Sequence, residues 1–564
     1  MKHHHVKRVV VSPGATNTSF VASLQHDSYF TLYSAVDERS AAYIACGIAA
    51  ESGEAVALSC TGATASRNYM PGLTEAYYRK LPILAITSSQ HLGHAYNMYP
   101  QMIDRSVEPN DICKISVQCP SVYSLEDCNA CEATLNKAIL ELTHSGDGPV
   151  HINLVTTYSR TYGVKELPQV HYIDRIDPGD ALPSLANKRV AIYVGAHRAW
   201  ATEEIEAVDR FCSIYNSVVL GDHTSNYSGE YWANGVLVTS QQQYSPSCIN
   251  VDVLISLGEI SGAYAEPQAK EVWRVALDGE PRGGLGKLRY IFNMSEKVFF
   301  ESYASAAGQN TQKRDGYLKL WRQEDEKIRS KITKLPFSNI WCAQQTSKVL
   351  PKNSVLHLGI LNSLRSWNFF PIDPSIRCFA NTGGFGIDGC MSSLVGASLV
   401  TPNKLFFGVV GDLACFYDLN SLANHNVQPN MRVMVINNGV GTEFKNYNSY
   451  AAVFGDEADA YMAARGHNGN QSPELLKHYT QDLGFEYMSA SNKSEFQENL
   501  ARFTTPELTD KPMFFEVFTN SVDESNALHI VANAEMDAKS AAKGAVKNLI
   551  GEKGVTVLRK LMGK

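Results

Sequence analysis

Two polar residues in the last third of the chain have the types and the spacing of metal ligands. Asp412 stands in Gly411-Asp412-Leu413, and Asn438 follows the apolar residues 431–436, which is 438 − 412 = 26 positions later. The apolar residues predict a buried strand, and the polar residues 418–426 predict a helix before it. A strand, a turn, a helix and a returning strand bring both residues to the carboxyl edge of a parallel sheet. Carboxylate and amide oxygens are hard ligands of the kind that Mg²⁺ combines with phosphate oxygens.

The residues around this pair are small, so backbone N–H groups could approach a diphosphate closely. An ordinary sheet edge with turn-forming Gly, Asp and Asn would carry the same residue types. The pattern by itself leaves both interpretations open.

The pattern resembles the diphosphate and metal motif of thiamine-diphosphate (ThDP) enzymes, which begins Gly-Asp-Gly and ends Asn-Asn. Leu413 stands at the third position, as in the menaquinone-pathway SEPHCHC synthases, which decarboxylate 2-oxoglutarate and add the product to isochorismate. Further segments are similar, in the same order, to these synthases and to the acetolactate synthase large subunit. They are Ser12-Pro13-Gly14, residues 36–42, Cys60-Thr61-Gly62, and residues 68–72, 81–87, 148–154, 381–389 and 417–420.

The resemblance implies an α/β fold with three doubly wound parallel-sheet domains, and the alternation of apolar and amphipathic segments agrees with it. We expect a pyrimidine-binding domain over residues 1–163, a central Rossmann-like domain over 185–315 and a diphosphate- and Mg-binding domain over 335–530. Residues 534–564 are rich in Ala and Lys and predict a C-terminal helical extension. The central segment lacks GxGxxG, and we expect no FAD.

Five residues receive catalytic roles. The resemblance assigns Glu38 to a hydrogen bond with the cofactor's pyrimidine N1′, whereas a solvated carboxylate at a helix start is the alternative. Ile387 matches the bulky residue that keeps the cofactor bent and so enforces proximity; otherwise it is core. Gln101 matches a family glutamine. His91 and His94, in a loop peculiar to this chain, are either proton relays or ordinary loop histidines.

The resemblance also implies which residues hold the cofactor. Asp412, Asn438 and the Val440 carbonyl would bind Mg²⁺. The residues expected to contact the cofactor are Asn362, Ser363, Gly386, Ile387, Gly411, Asp412, Leu413, Ala414, Asn438, Val440, Gly441 and Thr442. Because relatives combine the glutamate and metal motifs from two subunits, we expect a homodimer or homotetramer.

The substrate is less well defined. Arginines that bind acidic substrates in the menaquinone synthases are absent: Ala15-Thr16-Asn17, Ser88-Ser89-Gln90 and Thr382 stand at their positions, which argues against isochorismate. The Gln-Trp of acetolactate synthase is Lys445-Asn446 here. Arg67 or Lys445 could bind a carboxylate, although we expect both at the surface.

We therefore predict ThDP- and Mg²⁺-dependent decarboxylation of a small 2-oxo acid, followed by transfer of the acyl-anion equivalent to a carbonyl acceptor, as in an acetolactate-synthase-like carboligase. Release of an aldehyde, a catalytically silent assembly protein and a flavin-dependent oxidative decarboxylase are the alternatives.

The composition is compatible with an enzyme that acts on small molecules. The net charge of −7 and a pI near 6.2 give no support for a nucleic-acid partner, and no apolar run is long enough to span a bilayer. The 12 cysteines are scattered among apolar residues, which favours reduced thiols and a cytoplasmic location. Cys128 and Cys131 form a CxxC without a second ligand pair, so we interpret it as part of an ordinary helix.

Overall fold

The computed structural model describes residues 1–90, 92–105, 107–156, 170–263, 266–308, 313–466 and 472–537. Within these ranges the chain is an α/β protein with three parallel sheets of six, seven and six strands, which confirms the predicted fold class. Most of the predicted C-terminal extension, from residue 538 onward, lies outside the described residues. No helix within the described ranges is long and apolar enough to cross a membrane.

The strands, in chain order, are β1 Arg8–Val11, β2 Thr31–Ser34, β3 Val56–Cys60, β4 Ile83–Ser89, β5 Ser116–Gln118, β6 Val150–Val155, β7 Asp174–Ile176, β8 Val190–Val194, β9 Val219–Gly221, β10 Trp232–Asn234, β11 Asn250–Leu257, β12 Gln268–Val275, β13 Leu288–Phe292, β14 Val355–Leu358, β15 Arg377–Phe379, β16 Phe406–Gly411, β17 Met431–Asn437, β18 Glu486–Ala490 and β19 Met513–Phe518.

The α-helices are α1 Thr18–Gln25, α2 Glu38–Ser52, α3 Thr64–Asn68, α4 Met70–Arg79, α5 Leu125–Leu140, α6 Thr202–Tyr215, α7 Val236–Thr239, α8 Glu296–Ala306, α9 Gly316–Lys331, α10 Asn339–Thr346, α11 Asn362–Asn368, α12 Cys390–Val400, α13 Asp412–Tyr417, α14 Ala458–Tyr461, α15 Leu475–Asp482, α16 Lys493–Phe503 and α17 Ser521–Ala532.

The contacts divide the chain into two units. The first comprises Met1–Ala181 and Glu271–Met294, and the second comprises Leu182–Lys270 and Ser295–Lys564. The first unit contains the sheet β2-β1-β3-β4-β6-β5 and, from the central sheet, β13, β7 and part of β12. The second contains the central strands β10-β9-β8-β11 and the sheet β15-β14-β16-β17-β19-β18.

Helix α2 of the first unit is fixed at its start and along one face. The Asp37 side chain caps it by accepting a hydrogen bond from the Ser40 N–H at 3.1 Å. Its small buried residues allow close packing against α4, since a Cβ on Gly72 would lie 2.4 Å from the Ala42 Cβ. A glycine at position 72 therefore positions the helix whose first residue is Glu38.

In the second unit, one predicted helix is wrong. Residues 418–426 contain only a short 3₁₀ helix, Leu419–Ala423, and the α-helix α13 starts earlier, at Asp412. The Asp418 side chain is buried and accepts hydrogen bonds from the Ser392 N–H at 2.6 Å and the Ser392 hydroxyl at 2.5 Å. Asp418 therefore serves the first turn of α12 and does not start a helix of its own.

Candidate active site

The two predicted metal ligands meet at one sheet edge. Asp412 directly follows β16 and Asn438 directly follows β17, and these strands are parallel neighbours with Gly411 opposite Ile436. The carboxyl ends of both strands therefore present the carboxylate and the amide side by side. This arrangement is the one that the 26-residue spacing predicts.

Asp412 is a buried acid. Its side chain is 6% exposed, and its two oxygens accept hydrogen bonds from the Leu413 N–H at 2.9 Å and the Gly439 N–H at 2.7 Å. Burial raises the pKa of this carboxyl to about 6. Among the described residues, no basic side chain forms an ion pair with Asp412. A bound cation would offset the unfavourable burial of the charged form.

Asn438 carries a second indication of a missing partner. Its Oδ1 atom is buried and accepts no hydrogen bond from the residues that the structure describes. Buried side-chain acceptors are nearly always satisfied, so this oxygen indicates a ligand that the protein itself does not supply. The adjacent Gly439 has φ of +69°, a left-handed conformation that favours glycine. This turn leads to the Val440 carbonyl, whose hydrogen-bond donor, the Thr442 hydroxyl, lies 3.3 Å away. The donor set fits a hard divalent cation.

The other predicted residues of this loop lie beside the pair. The Gly441 N–H donates to the Ala463 carbonyl at 2.5 Å, which holds the loop against the segment after α14. Thr442 is 5% exposed and starts a 3₁₀ helix. Ala414 is buried in the first turn of α13. The Leu413 and Gly439 N–H groups are already occupied by the Asp412 carboxylate, and the Gly441 N–H by the Ala463 carbonyl.

Asn362 and Ser363 begin α11 after an unusual backbone turn. Leu361 has φ of +65° and ψ of −116°, a conformation that is strained for a branched residue and is typical of functional sites. The Asn362 Oδ1 accepts hydrogen bonds from Arg365 Nη1 at 3.1 Å and Asn446 Nδ2 at 3.2 Å. The Ser363 hydroxyl lies 3.2 Å from Asn339 Nδ2, which donates to it. Both side chains thus hold the turn in place.

An ion pair that we did not predict joins α11 to the metal loop. Arg365 donates to both carboxylate oxygens of Glu443, at 2.8 and 3.0 Å. Glu443 lies in the 3₁₀ helix that directly follows Gly441. Bidentate pairs of this kind fix orientation as well as distance. No local sequence pattern predicts this ion pair, because the two residues are 78 positions apart.

Two more acidic residues are buried near this edge of the chain's last sheet and are not predicted by the sequence. Glu516 on β19 is 1% exposed and accepts from Asn437 Nδ2 at 2.7 Å and the Tyr487 hydroxyl at 2.8 Å. Glu524 on α17 is 6% exposed and accepts from the Asn339 N–H and the Thr519 hydroxyl. Burial raises the pKa of both carboxyl groups, that of Glu524 to about 7.

Gly386 and Ile387 lie between β15 and α12. The Ile387 side chain is partly buried and packs against the apolar cluster around Met391, Leu394 and Val410. A side chain at position 386 would collide with Asp388, since a Cβ there would lie 2.3 Å from Asp388 Oδ1. Packing against the core and supporting a cofactor are compatible, so the role of Ile387 stays a prediction.

Glu38, in the first unit, is the first residue of α2 and is partly exposed. Its carboxylate makes no hydrogen bond or ion pair with the residues that the structure describes. Its neighbours Asp37 and Arg39 pair with each other at 3.6 Å. The Glu38 carboxylate therefore remains available for an external group, and its catalytic role stays a prediction.

The structure describes two of the three residues that are predicted to lie near the substrate. Gln101 is exposed with φ of +64°, and its backbone carbonyl approaches Gly62. The His94 ring stacks on Tyr99 with 4.0 Å between ring centres. His91 lies outside the described residues. Roles for these three residues stay predictions.

Arg67 and Lys445, the two candidates for binding a carboxylate, already have acidic partners. Arg67 Nη1 lies 2.8 Å from Glu108, and Lys445 Nζ lies 2.6 Å from Asp459. The Lys445 side chain is 14% exposed, so the expected surface location is wrong for it. The Asp459 carboxylate and the Gly455 carbonyl, which both accept hydrogen bonds from Nζ, offset the partial burial of this lysine.

Comparisons with known proteins agree with the geometry. Residues 1–107 match the family described as thiamine pyrophosphate enzyme, N-terminal TPP binding domain. The chain is 28% identical to the 2-succinyl-5-enolpyruvyl-6-hydroxy-3-cyclohexene-1-carboxylate synthase of Phocaeicola vulgatus, over 94% of this chain and 95% of that protein. The corresponding synthases of Bacteroides thetaiotaomicron and Flavobacterium johnsoniae are 28% and 26% identical, over 94% and 91% of this chain and 96% and 93% of their own lengths.

Proposed function

Because the chain is a homologue of thiamine-diphosphate-dependent enzymes over nearly its whole length, we propose that it decarboxylates a small 2-oxo acid and transfers the acyl-anion equivalent to a carbonyl acceptor. The observation that carries the proposal is the buried Asp412 carboxylate beside the unsatisfied Asn438 Oδ1. The relatives are synthases by name, which favours formation of a new bond over simple release of an aldehyde.

In this proposal the second unit holds the cofactor through its diphosphate. Asp412, Asn438 and the Val440 carbonyl would bind Mg²⁺, and the loop 439–442 would close over the diphosphate. Arg365 and Glu443 keep the loop in position through their bidentate ion pair. Thiamine diphosphate, when bound, supplies the carbon nucleophile and accepts the electron pair released with CO₂.

The first unit supplies the activating acid. Glu38 would hydrogen-bond the pyrimidine ring nitrogen, and the Asp37 cap and the close contact at Gly72 position the helix that carries it. Ile387 of the second unit would keep the cofactor bent. Gln101, with His91 and His94, lies on the substrate side.

The active form in this proposal is at least a symmetric dimer, in which Glu38 of one protomer serves a cofactor held by the other. Large apolar side chains are exposed in both units, including Tyr43 at 47%, Tyr78 at 67%, Tyr450 at 98% and Val453 at 83%. Tyr43 lies on the Glu38 helix, and Tyr450 and Val453 follow the metal loop. Exposed apolar groups of this kind support a protein interface.

We infer that isochorismate is not the acceptor. Residues 15–17, residues 88–90 and the buried Thr382 stand where the resemblance expects arginines. We therefore propose neither isochorismate as the acceptor nor the synthesis of acetolactate. The donor in this proposal is a small 2-oxo acid, and the acceptor is an unassigned aldehyde, ketone or keto sugar.

The proposal is tested by incubating the full chain, with Mg²⁺ and thiamine diphosphate, with a panel of 2-oxo acids. Each is assayed with and without carbonyl acceptors, and CO₂ and products are followed by mass spectrometry. We expect CO₂ release and a ligated product. Aldehyde as the product under every condition would establish the simple decarboxylase instead, and no CO₂ from any acid would refute both.

The Glu38→Gln variant tests the assigned acid in the same assay. We expect turnover to fall by at least about 100-fold with little change in cofactor affinity, because the lost group acts in general acid–base catalysis. The Glu51→Gln variant, at the far end of the same helix, is the matched control and should retain the normal rate. An unchanged rate for Glu38→Gln would remove this residue from the mechanism.

A further inference from the structure

The first unit contains a buried polar region where a parallel sheet is normally apolar. Strands of such sheets are covered on both faces and are usually continuous runs of apolar residues. Here Thr87, Ser88 and Ser89 on β4 and His151 and Asn153 on β6 are all at most 4% exposed. A local departure from the pattern that specifies the core is typical of a functional site.

All of these side chains except that of Ser88, whose hydroxyl has no hydrogen-bond partner among the described residues, belong to one hydrogen-bond network. The His151 Nε2 lies 2.8 Å from the Thr87 hydroxyl, which donates to the Asn153 Oδ1 at 3.1 Å. The Asn153 Nδ2 donates to the Gln118 Oε1 at 2.8 Å. Arg105 Nη2 also donates to the Asn153 Oδ1. The network therefore anchors one end of the Arg105 guanidinium.

The rest of that guanidinium is buried without acceptors. Arg105 is 5% exposed, and its Nε and Nη1 atoms find no hydrogen-bond partner in the part of the chain that the structure describes. Leaving charged donors buried and unsatisfied is strongly unfavourable, more so than for neutral groups. A protein that keeps such a group is expected to satisfy it with a ligand or with water.

Arg105 also stands at the edge of the sheet where ligands bind. Its Nη1 lies 3.4 Å from the point that a Cβ on Gly62 would occupy, and the Ser88 and Gln101 carbonyl oxygens lie 3.2 and 3.5 Å from the same point. Gly62 follows β3 and Ser88 lies near the end of β4, so the group is at the carboxyl edge. Gln101, already assigned to the substrate side, is its neighbour.

The charges around Arg105 favour an anion. Glu108 is the acidic group whose charge acts on Arg105, but its carboxylate is ion-paired with Arg67 at 2.8 Å. Glu108 is therefore held by Arg67, and Arg105 itself forms no ion pair with a carboxylate among the described residues. Guanidinium groups with unoccupied N–H donors match carboxylates in charge and shape.

We propose that Arg105 binds the carboxylate of the 2-oxo acid donor and thereby determines which donors the protein accepts. The inference rests on the proposed function for the identity of the ligand, and on the network and the unsatisfied guanidinium for the site. The segment 96–101, which precedes Arg105, carries the exposed side chains of Tyr96 and Met98, at 85% and 99%. The resemblance to the family did not assign this role to Arg105.

The test is calorimetric titration of malonate into the full chain with excess Mg²⁺ and thiamine diphosphate, with uncharged malonamide as the reference ligand. We expect malonate to bind more tightly than malonamide, and Arg105→Gln to weaken malonate binding by about 10- to 100-fold, the value of a charged hydrogen bond. Arg79→Gln, at an exposed arginine on α4 of the same unit, is the matched control and should change malonate affinity less than about twofold, because Arg79 pairs with Glu75 at the surface.

A merely structural arginine would give a different result. Arg105→Gln would then lower the Tm and leave malonate affinity unchanged, which would overturn the proposal, as would equal binding of malonate and malonamide by the native protein. If Arg105→Gln does not fold, Arg105→Lys keeps the charge but loses the planar donor group, and we expect about tenfold weaker malonate binding. Unchanged affinity in that variant would also overturn the proposal.

The same variants separate this proposal from the proposed function. Malonate binding that depends on Arg105, without CO₂ release from any 2-oxo acid, would support the site and refute the reaction. CO₂ release with the same KM for the donor in native and Arg105→Gln protein would support the reaction and refute the site.

Discussion

Asn437 and Asn438 are adjacent in the sequence but have opposite surroundings. The Asn437 Nδ2 donates to the buried Glu516 carboxylate at 2.7 Å, whereas the Asn438 Oδ1 is buried without a donor among the described residues. A buried amide whose polar atoms are hydrogen-bonded stabilises the fold, whereas a buried amide with an unpaired polar atom lowers the stability. We therefore interpret Asn437 as a structural residue and Asn438 as a residue that binds a ligand.

This contrast predicts different effects of the two alanine variants. Asn437→Ala should lower the free energy of unfolding of the cofactor-free protein by about 1–2 kcal/mol, because Glu516 loses a donor. Asn438→Ala should change it by less than about 0.5 kcal/mol and weaken binding of Mg²⁺ with thiamine diphosphate at least about tenfold. Denaturant titration and calorimetry measure the two quantities. Equal stability losses with unchanged cofactor affinity would contradict the metal assignment.

At the scale of elements, helices α10 and α17 meet through a buried carboxyl group. Glu524 of α17 accepts two hydrogen bonds from the Asn339 N–H, at 2.9 and 3.1 Å, and one from the Thr519 hydroxyl at 2.7 Å. Asn339 is the first residue of α10, where a negative charge is favourable. Burial nevertheless outweighs these contacts and raises the pKa of Glu524 to about 7 from a usual value of 4.5.

The raised pKa predicts a loss of stability with rising pH. Between the unfolded value near 4.5 and the folded value near 7, the folded protein binds more protons at Glu524, so its stability falls as the pH increases through this window.

Glu524→Gln removes the effect while its amide oxygen still accepts the Asn339 N–H. We expect similar Tm values for both proteins at pH 4.5 and a higher Tm for the variant at pH 8, equivalent to at most roughly 3 kcal/mol. Asp523→Asn, on the same helix, should track the native protein. Parallel Tm curves for Glu524→Gln and native protein would refute the buried charge as the cause.

At the scale of the whole molecule, the acid and the metal ligands belong to different units of the chain. Glu38 lies in the unit that begins at Met1, and Asp412 lies in the other. If one subunit supplies Glu38 to the cofactor of its partner, two defective chains can form one intact site.

Mixing Glu38→Gln with Asp412→Asn chains tests this arrangement. Each variant alone should be nearly inactive, whereas a mixture after subunit exchange should recover up to about a quarter of native activity, because half of the dimers contain one intact site. CO₂ release is measured before and after exchange. The mixture of each variant with itself is the control. Activity that does not rise would place both groups of a site in one chain.

The sequence alone determined that Asp412 and Asn438 lie side by side. The apolar residues 431–436 form the predicted strand, β17, since an apolar run between polar breaks is a local property. Asp412 and Asn438 were predictable because each directly follows a strand of such a run, and parallel connection then places both at one edge. The 418–426 prediction failed because Asp418 is used by α12, which is 26 residues earlier at Ser392.

Only the tertiary structure decided which polar groups are buried and which are satisfied. Arg105, Glu516 and Glu524 look like ordinary charged residues in the sequence, because nothing local distinguishes them from exposed ones. Their partners Asn153, Tyr487 and Asn339 lie 48, 29 and 185 positions away. Burial and hydrogen bonding depend on contacts between distant segments, and these contacts convert common side chains into candidates for binding and for control of stability.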